Sequence, residues 1–191
     1  MNISAFIPIK KFTTSKKRLS KVISSSEREA LAASMANNTI DILSKSNICH
    51  SITVVTNDSS LSFHNANSYF TESSLNEGLE EAINSSAVSD HILIMHADLP
   101  RINETDLQHF LSLYDRAKVS IVSDIKKQGT NCLMFSGSLN FQYKFGTDSY
   151  NLFLNEFKKN GINYQDIDLP SLQDDLDSEE DYFKLIKYIK S

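Results

Sequence analysis

Three short apolar runs mark the first half of the chain. They cover Ile3–Ile9, Ser51–Thr56 and His91–His96, and each is nearly continuous and contains β-branched residues. Parallel strands that are buried on both faces have this pattern, whereas half-exposed strands alternate apolar with polar residues. We therefore predict three central parallel strands.

Segments with helical spacing of apolar residues follow each of these runs. Glu27–Ser44 comes after three serines that can cap a helix, and Leu75–Ile83 and Thr105–Ala117 are two further predicted helices. A strand followed by a helix, repeated along the chain, is typical of parallel βαβ units. The first half therefore predicts strands and helices in alternation.

The second half continues this alternation with shorter elements. Strands are predicted over Val119–Ser123, Leu133–Phe135 and Tyr164–Ile167, and helices over Tyr150–Lys159 and Glu179–Lys190. The pattern predicts an α/β fold with three layers around a mixed, mostly parallel sheet, and the length predicts a single domain over 1–191. In such folds the ligand crevice lies at the carboxyl ends of the strands, where the strand order reverses.

Composition narrows the classes of function. The chain of 191 residues is 40% hydrophobic, but no apolar run reaches the roughly 18 residues that cross a bilayer. Its net charge of -5 argues against a nucleic-acid groove, which needs clustered excess Lys and Arg. Cys49 and Cys132 have neither metal-site nor disulfide spacing. We therefore expect a soluble, cytoplasmic protein that acts on small molecules, without nucleic-acid or membrane partners, and a homodimer would be ordinary for its size.

Acidic residues occupy two places where a divalent cation could bind. Asp98, in His96–Pro100, directly follows the third strand and is fixed by a proline turn, although it could instead shape that turn or cap the next helix. In Asp174–Asp181, Asp175 and Asp177 point to the same side if the backbone is extended, whereas acidic runs before helices also favour the helix dipole or form solvated faces. Because Mg²⁺ takes one or two protein carboxylates plus phosphate oxygens, the two places together suit a phosphate-rich substrate.

Basic residues crowd the segment that directly follows the first strand. They are Lys10, Lys11, Lys16, Lys17, Arg18 and Lys21. In α/β proteins this position holds the phosphates of a nucleotide, and cationic side chains there neutralise charge that develops during phosphoryl transfer. The alternative is a solvated basic surface.

Two glycine-containing segments would let the backbone approach a ligand and would offer it hydroxyl groups. Gln128–Asn131 contains Thr130, and Phe145–Ser149 places Ser149 at a helix start, where exposed N–H groups favour an anion. On these residues alone, a pair of turns is the simpler interpretation. No Walker, GxGxxG, HExxH or Gly-x-Ser-x-Gly pattern offers a rival site. An acceptor phosphate is already ionised, so the absence of a general base is consistent with nucleotidyl transfer.

Five ordered segments of the chain share the motifs of one family. They are Ile7–Lys10 with Ser15–Leu19; Ser26–Met35; Ser74–Leu79; Ala97–Pro100; and Gly129–Asn131 with Phe145–Ser149 and Asp175–Asp177. This set resembles the 2-phospho-L-lactate guanylyltransferases, which build the deazaflavin coenzyme, and the resemblance spans nearly the whole chain. Two departures concern Thr71–Ser74, where family members commonly have Gly or Pro, and Glu77, where they have a small residue.

The resemblance implies a fold of the nucleotide-diphospho-sugar transferase type, GTP as the donor and Mg²⁺ as the cofactor. It implies that Mg²⁺ is held by Asp98, Asp175 and Asp177. The implied nucleotide contacts are Pro8, Lys10, Lys16, Arg18 and Asn76, with Lys16 and Arg18 near the triphosphate and Asn76 near the base. The implied contacts of the phosphorylated acid are Thr130, Asn131, Gly146 and Ser149. Asp98, Lys16 and Arg18 are the predicted catalytic residues.

The predicted reaction moves GMP from GTP to the phosphate of a small acid and releases pyrophosphate. Three acids are candidates, namely 2-phospho-L-lactate, phosphoenolpyruvate and 3-phospho-D-glycerate, and they differ by a few atoms. The alternatives are a transferase of the same fold that acts on a sugar phosphate or molybdopterin, and a nucleotide-binding module without turnover.

Overall fold

The computed structural model describes residues 2–86 and 90–189. Seven strands form one sheet, with the bounds β1 Ile3–Ile9, β2 Ser51–Thr56, β3 Asn67–Phe70, β4 His91–Met95, β5 Val119–Ser123, β6 Thr130–Ser136 and β7 Tyr164–Asp166. The helices have the bounds α1 Ser25–Lys45, α2 Leu75–Ser85, α3 Glu104–Leu113, α4 Ser149–Lys159, α5 Pro170–Gln173 and α6 Glu179–Leu185. Short 3-10 helices cover Phe12–Thr14, Lys17–Leu19 and Ile186–Tyr188.

The strand order in the sheet is β3-β2-β1-β4-β6-β5-β7. β1 pairs in parallel with β2 and β4, while β6 runs antiparallel to both β4 and β5. The chain builds outward from β1 through β2 and β3 and then places β4 on the other side of β1, so the strand order reverses between β1 and β4. The predicted mixed, mostly parallel sheet is confirmed, and its crevice lies at the carboxyl ends of these two strands.

Helices cover both faces of the sheet. α1, α3 and α5 pack on one face, where Ile40, Phe110 and Leu172 are buried in one apolar cluster with the strands. α2 and α4 pack on the other face through Leu79 and Phe153. Every residue of β4 is buried because helices lie on both of its faces, which explains its continuous apolar sequence. The predicted three-layer α/β class is confirmed.

Two predicted helices end earlier than their sequence pattern. The helix predicted to reach Ala117 ends at Leu113, because Tyr114 has extended backbone angles. The helix predicted to reach Lys190 ends at Leu185 and continues as a 3-10 turn, while Lys190 lies outside the described residues. Apolar spacing by itself does not fix a helix end, since the backbone angles of the capping residue decide it.

Three features escaped the sequence prediction. β3 is a short, largely exposed strand at the sheet edge and lacks an apolar pattern. α5 is a single turn that begins with Pro170. β6 begins at Thr130 rather than Leu133, so Thr130 and Asn131 belong to a strand and not to the turn that their sequence favours. This extension places both residues beside the end of β4.

Candidate active site

A cavity of about 600 Å³ opens at the carboxyl ends of β1 and β4. The segment after β1, the turn after β4, the start of β6 and the start of α4 contribute to its wall. It is lined by eleven of the twelve residues that the sequence assigned to the site, namely Pro8, Lys10, Lys16, Arg18, Asp98, Thr130, Asn131, Gly146, Ser149, Asp175 and Asp177. The twelfth, Asn76, does not line it.

The three aspartates predicted to bind metal lie together in this cavity. Asp98 follows β4, and the backbone N–H of Leu176 donates to the Asp98 carbonyl oxygen at 3.1 Å. Leu176 is fully buried, so the residues on either side of it, Asp175 and Asp177, face the cavity instead. The acidic segment before α6 is therefore attached to the turn after β4 by its backbone.

The ammonium group of Lys16 lies between two of these carboxylates. Its Nζ donates to Asp98 Oδ2 at 2.7 Å and to Asp177 Oδ1 at 2.8 Å, and its side chain is only 8% exposed. Lys16 has φ 51° and ψ 34°, a left-handed conformation that is uncommon for a residue with a Cβ. Arg18, 79% exposed, lies 3.9 Å from Asp177. Lys16 is thus an internal counter-ion of the acidic group.

Burial and charge together set the ionisation of the acidic group. Burial opposes the charged form of Asp98, but the Lys16 ammonium outweighs it and lowers the pKa of Asp98. Burial likewise opposes the ammonium of Lys16, yet Asp98 and Asp177 raise the pKa of Lys16 above its ordinary value. For Asp175, burial together with the charges of Asp98 and Asp177 outweighs the more weakly acting Lys16 and raises the pKa of Asp175 to about 7. The single ammonium of Lys16 therefore does not balance the negative charge that three ionised carboxylates would carry.

The donor set fits a hard divalent cation such as Mg²⁺. The buried Oδ1 of Asp98 has no hydrogen-bond partner among the described residues, and carboxylate oxygens are the ligands that Mg²⁺ prefers. No group of three or more His, Cys, Asp or Glu side chains in residues 2–86 and 90–189 is spaced to hold a metal ion, and the Lys16 ammonium lies between Asp98 and Asp177. Binding would require the ammonium to leave at least one of its carboxylates, so Mg²⁺ here stays a prediction.

Replacing Asp175 by Asn should stabilise the metal-free protein at neutral and alkaline pH. Folding raises the pKa of Asp175 from 3.8 to about 7, so the stability that the protonated carboxyl contributes is complete below pH 3.8 and is lost as the pH rises through 7. We expect Asp175→Asn to raise the Tm by about 5 °C at pH 8. The Tm difference between variant and wild type is measured by thermal unfolding in EDTA between pH 5 and pH 8.5. A difference that does not grow with pH up to 7 would contradict the raised pKa of Asp175.

The opposite wall of the site contains hydroxyl groups and a glycine. Gly146 has φ +130°, a conformation that side chains with a Cβ rarely adopt, although an added Cβ would meet no atom within 4 Å. Ser149 is buried at the first position of α4, where its own N–H donates to the Gly146 carbonyl at 3.2 Å and the next N–H, of Tyr150, donates to the Gln128 carbonyl at 3.0 Å. The buried Oγ1 of Thr130 has no hydrogen-bond partner among the described residues. The hydroxyls of Thr130 and Ser149 could donate hydrogen bonds to an anionic ligand.

Asn76 is bonded to the backbone of Phe145 through both ends of its amide. Its amide nitrogen donates to the Phe145 carbonyl at 3.1 Å, and its amide oxygen accepts from the Phe145 N–H at 2.8 Å. Asn76 thereby fixes the backbone directly before Gly146. It does not line the cavity, and its contact with the nucleotide base stays a prediction.

Asn131 lines the cavity but is also bonded to the acidic segment. Its Nδ2 donates to the carbonyls of Leu172 at 3.0 Å and Gln173 at 3.3 Å. The register of β5 against β6 shifts between Val122 and Ser123, opposite this residue. Such a bulge changes the direction of a side chain. Asn131 therefore connects the start of β6 to the segment that contains Asp175 and Asp177.

His96 is a site residue that the sequence analysis passed over, because the histidines of the chain lack metal-ligand spacing. It lines the cavity, its ring centroid lies 5.4 Å from that of Phe145, and its buried Nε2 has no hydrogen-bond partner among the described residues. Burial lowers the pKa of His96 despite the nearby Asp98 and Asp177, so the ring is neutral. Its position directly after β4 and two residues before Asp98 was the available signal.

The family model described as "Guanylyl transferase CofC like" matches residues 3–189. The chain belongs to this family. The resemblance carried by the ordered motifs is thereby confirmed, and so is the nucleotidyltransferase class. The described part of this CofC-like chain contains no helix long and apolar enough to cross a membrane.

Relatives of this CofC-like chain differ in their acid. It is 26% identical to the phosphoenolpyruvate guanylyltransferase of Roseiflexus sp. (strain RS-1), over 95% of the chain and 83% of that protein. It is 28% identical to the 2-phospho-L-lactate guanylyltransferase of Methanocaldococcus infernus, over 94% and 82%. It is 27% identical to the 3-phospho-D-glycerate guanylyltransferase of Colwellia psychrerythraea, over 95% and 90%. Because these identities are so similar, the relatives do not indicate which of the three acids this chain uses.

Solved structures agree on the fold. A candidate nucleotide-diphospho-sugar transferase from Desulfovibrio desulfuricans G20 superposes with a TM-score of 0.69 at 13% identity, over 93% of this chain and 84% of that one. A nucleotidyl transferase from Methanothermobacter superposes with a TM-score of 0.67 at 14% identity, over 98% and 97%. The fold type implied by the sequence motifs is confirmed.

Proposed function

We propose that this CofC-like chain is a Mg²⁺-dependent guanylyltransferase. It transfers GMP from GTP to the phosphate of a small phosphorylated carboxylic acid, and it serves the biosynthesis of a deazaflavin coenzyme. The observation that supports this most is that Asp98, Asp175 and Asp177, which are distant in sequence, line one cavity with Lys16 in a chain of this family. The cytoplasmic location and the homodimer stay predictions.

The reaction proposed is an in-line displacement at the α-phosphorus of GTP. An oxygen of the acid's phosphate forms the new bond to phosphorus, the bond to the pyrophosphate oxygen breaks, and pyrophosphate leaves with its charge. The attacking phosphate is already ionised, so no side chain has to remove a proton from it. The protein therefore has to position two anions and neutralise the charge that develops.

Carboxylates would hold the metal ion, and cationic side chains would contact the phosphates directly. Asp98 with Asp175 or Asp177 would hold Mg²⁺, which would supply positive charge to the α-phosphate and to the pyrophosphate leaving group. Lys16 and Arg18 contact the β- and γ-phosphates once the Lys16 ammonium exchanges its carboxylate partners for phosphate oxygens. Lys10 and Pro8 lie at the end of β1 in the same cavity and border the nucleotide.

The acid binds against the wall formed by β6 and the start of α4. Thr130 and His96 each present a buried polar atom that has no hydrogen-bond partner among the described residues. Ser149 and the Gly146 backbone complete this wall. An anionic substrate would provide the missing partners, which is the condition under which buried polar atoms are stable.

Ser149→Ala should weaken binding of the acid far more than binding of GTP. The variant removes one hydroxyl from the helix start, and a hydrogen bond to a charged group is worth about 1.5–3 kcal/mol, or roughly 10-fold to 100-fold in affinity. Steady-state kinetics should show this rise in KM for the acid with the KM for GTP nearly constant. Ser138→Ala, a change in the loop after β6 outside the cavity lining, is the control. Equal effects on both KM values would contradict the assignment.

The direct test of the proposal is pyrophosphate release with GTP, Mg²⁺ and each of the three acids in turn. Mass spectrometry of a mixed-acid reaction identifies which guanylylated acid forms. No turnover with any of them would overturn the acid assignment, and turnover with a sugar phosphate or molybdopterin would replace it. Tight GTP binding without pyrophosphate release would indicate a nucleotide-binding module without catalysis.

A further inference from the structure

A buried carboxylate lies directly beside the proposed metal ligands without lining the cavity. Asp174 is only 2% exposed and accepts hydrogen bonds from two cations, the guanidinium of Arg101 and Lys184 Nζ, the latter at 2.7 Å. A buried charge is tolerated in a protein when it is paired and hydrogen-bonded. Both oxygens of Asp174 are therefore occupied by ion pairs rather than available to a ligand.

The two cations belong to different parts of the fold. Arg101 lies in the turn after β4, three residues beyond Asp98, and Lys184 lies on α6. Asp174 therefore joins three elements, namely the turn that contains Asp98, the segment that contains the other two aspartates, and the following helix. The Leu176 N–H bond to the Asp98 carbonyl runs beside the same connection.

The acidic segment needs such attachments. Between α5 and α6 it has no regular secondary structure, so no helix or strand hydrogen bonds hold Asp175 and Asp177 in place. The segment is attached by the Asn131 amide on Leu172 and Gln173, by the backbone bond to Asp98, by the buried Leu176 side chain, by the Lys16 contact to Asp177 and by the Asp174 ion pairs. Among these, the Asp174 ion pairs join the segment both to the turn after β4 and to α6.

We propose that Asp174, with Arg101 and Lys184, is a positioning group that fixes Asp175 and Asp177 relative to Asp98 so that Asp98 can share one cation with Asp175 or Asp177. This inference rests on the proposed function, because it assumes a divalent cation at that place. Groups that orient metal ligands typically change metal affinity or activity by about 10-fold to 100-fold when they are removed.

The test measures metal binding to the nucleotide-free full-length protein and does not depend on turnover. Mn²⁺ is the probe, and loss of the free-ion electron paramagnetic resonance signal reports its binding. Asp174→Asn keeps the volume of the side chain but removes the charge that Arg101 and Lys184 face. We expect it to weaken Mn²⁺ binding by about 10-fold or more.

Variants at Lys184 test the same ion pair in case Asp174→Asn does not fold. The Lys184 side chain is 53% exposed, so Lys184→Met should leave the fold intact and weaken Mn²⁺ binding less than Asp174→Asn does. Lys184→Arg should bind Mn²⁺ as wild type does, because arginine keeps the positive charge that methionine lacks. Asp115→Asn is the matched control, since Asp115 pairs with Lys118 at 3.2 Å on the surface outside the cavity.

The outcomes separate this inference from the proposed function. If wild-type protein does not bind Mn²⁺, the metal site itself is wrong and the positioning role falls with it. If wild-type protein binds Mn²⁺ but Asp174→Asn and Lys184→Met bind it equally well, only the positioning role is overturned. A lower Tm with unchanged Mn²⁺ affinity would show that Asp174 stabilises the fold alone. Weaker binding in both variants, restored by Lys184→Arg, supports the inference.

Discussion

Replacing Asp98 by Asn should lower turnover by about 100-fold to 1000-fold while the protein stays folded. The substitution keeps the volume of the side chain and removes the charge from an oxygen that Lys16 contacts at 2.7 Å. It also removes the negative charge from the buried oxygen that has no partner among the described residues. Charge neutralisation by a bound metal is worth several kcal/mol in the transition state, and each 1.36 kcal/mol is about tenfold in rate.

The measurement is the rate of pyrophosphate release at saturating GTP and acid. Asp41→Asn is the matched control, because it makes the same chemical change at a half-exposed position on α1, outside the cavity. Circular dichroism and the Tm of both variants show whether the fold is kept. Near-normal turnover of a folded Asp98→Asn protein would refute the assignment of Asp98 as a metal ligand.

Lys16→Met should lower turnover by about 100-fold or more and yet tighten the binding of Mn²⁺ to the nucleotide-free protein. Removal of the ammonium takes away a contact proposed for the triphosphate, and a single charged contact in the transition state is worth about 100-fold to 1000-fold. The same removal frees the oxygens of Asp98 and Asp177 that Nζ contacts at 2.7 and 2.8 Å. Ammonium and metal compete for these oxygens, so we expect roughly tenfold tighter Mn²⁺ binding.

The metal-free Lys16→Met protein should also be less stable than wild type, because the mostly buried Asp98 loses its counter-ion while the half-exposed Asp177 keeps only Arg18 at 3.9 Å. Added Mn²⁺ should recover the lost Tm. Lys21→Met is the control, since Lys21 belongs to the same basic segment but is exposed and does not line the cavity. Unchanged Mn²⁺ affinity in Lys16→Met would show that the ammonium does not occupy the place of the cation.

Only part of the candidate site could be predicted from the sequence. The end of the strand before Asp98 was visible in a continuous apolar run, and the period-two argument put Asp175 and Asp177 on one side of their segment, as the structure does with buried Leu176 between them. The contact of Asn76 with the base stays a prediction, because a motif identifies a position but not the direction of its amide, which in the structure is bonded to Phe145. His96 was passed over since no spacing rule covers a single histidine beside a cavity.

Local patterns in the sequence determined the types of the main elements, the three-layer class and the edge of the sheet where the site would lie. They could do so because periodicity and strand-end position depend on residues that are neighbours in the chain. Only the tertiary structure decided that Lys16 lies between Asp98 and Asp177, from which it is separated by 82 and 161 positions. Only it showed that Asp174 joins Arg101 to Lys184. Those contacts depend on the strand order and on which charges burial forces to pair, and neither is a local property of the sequence.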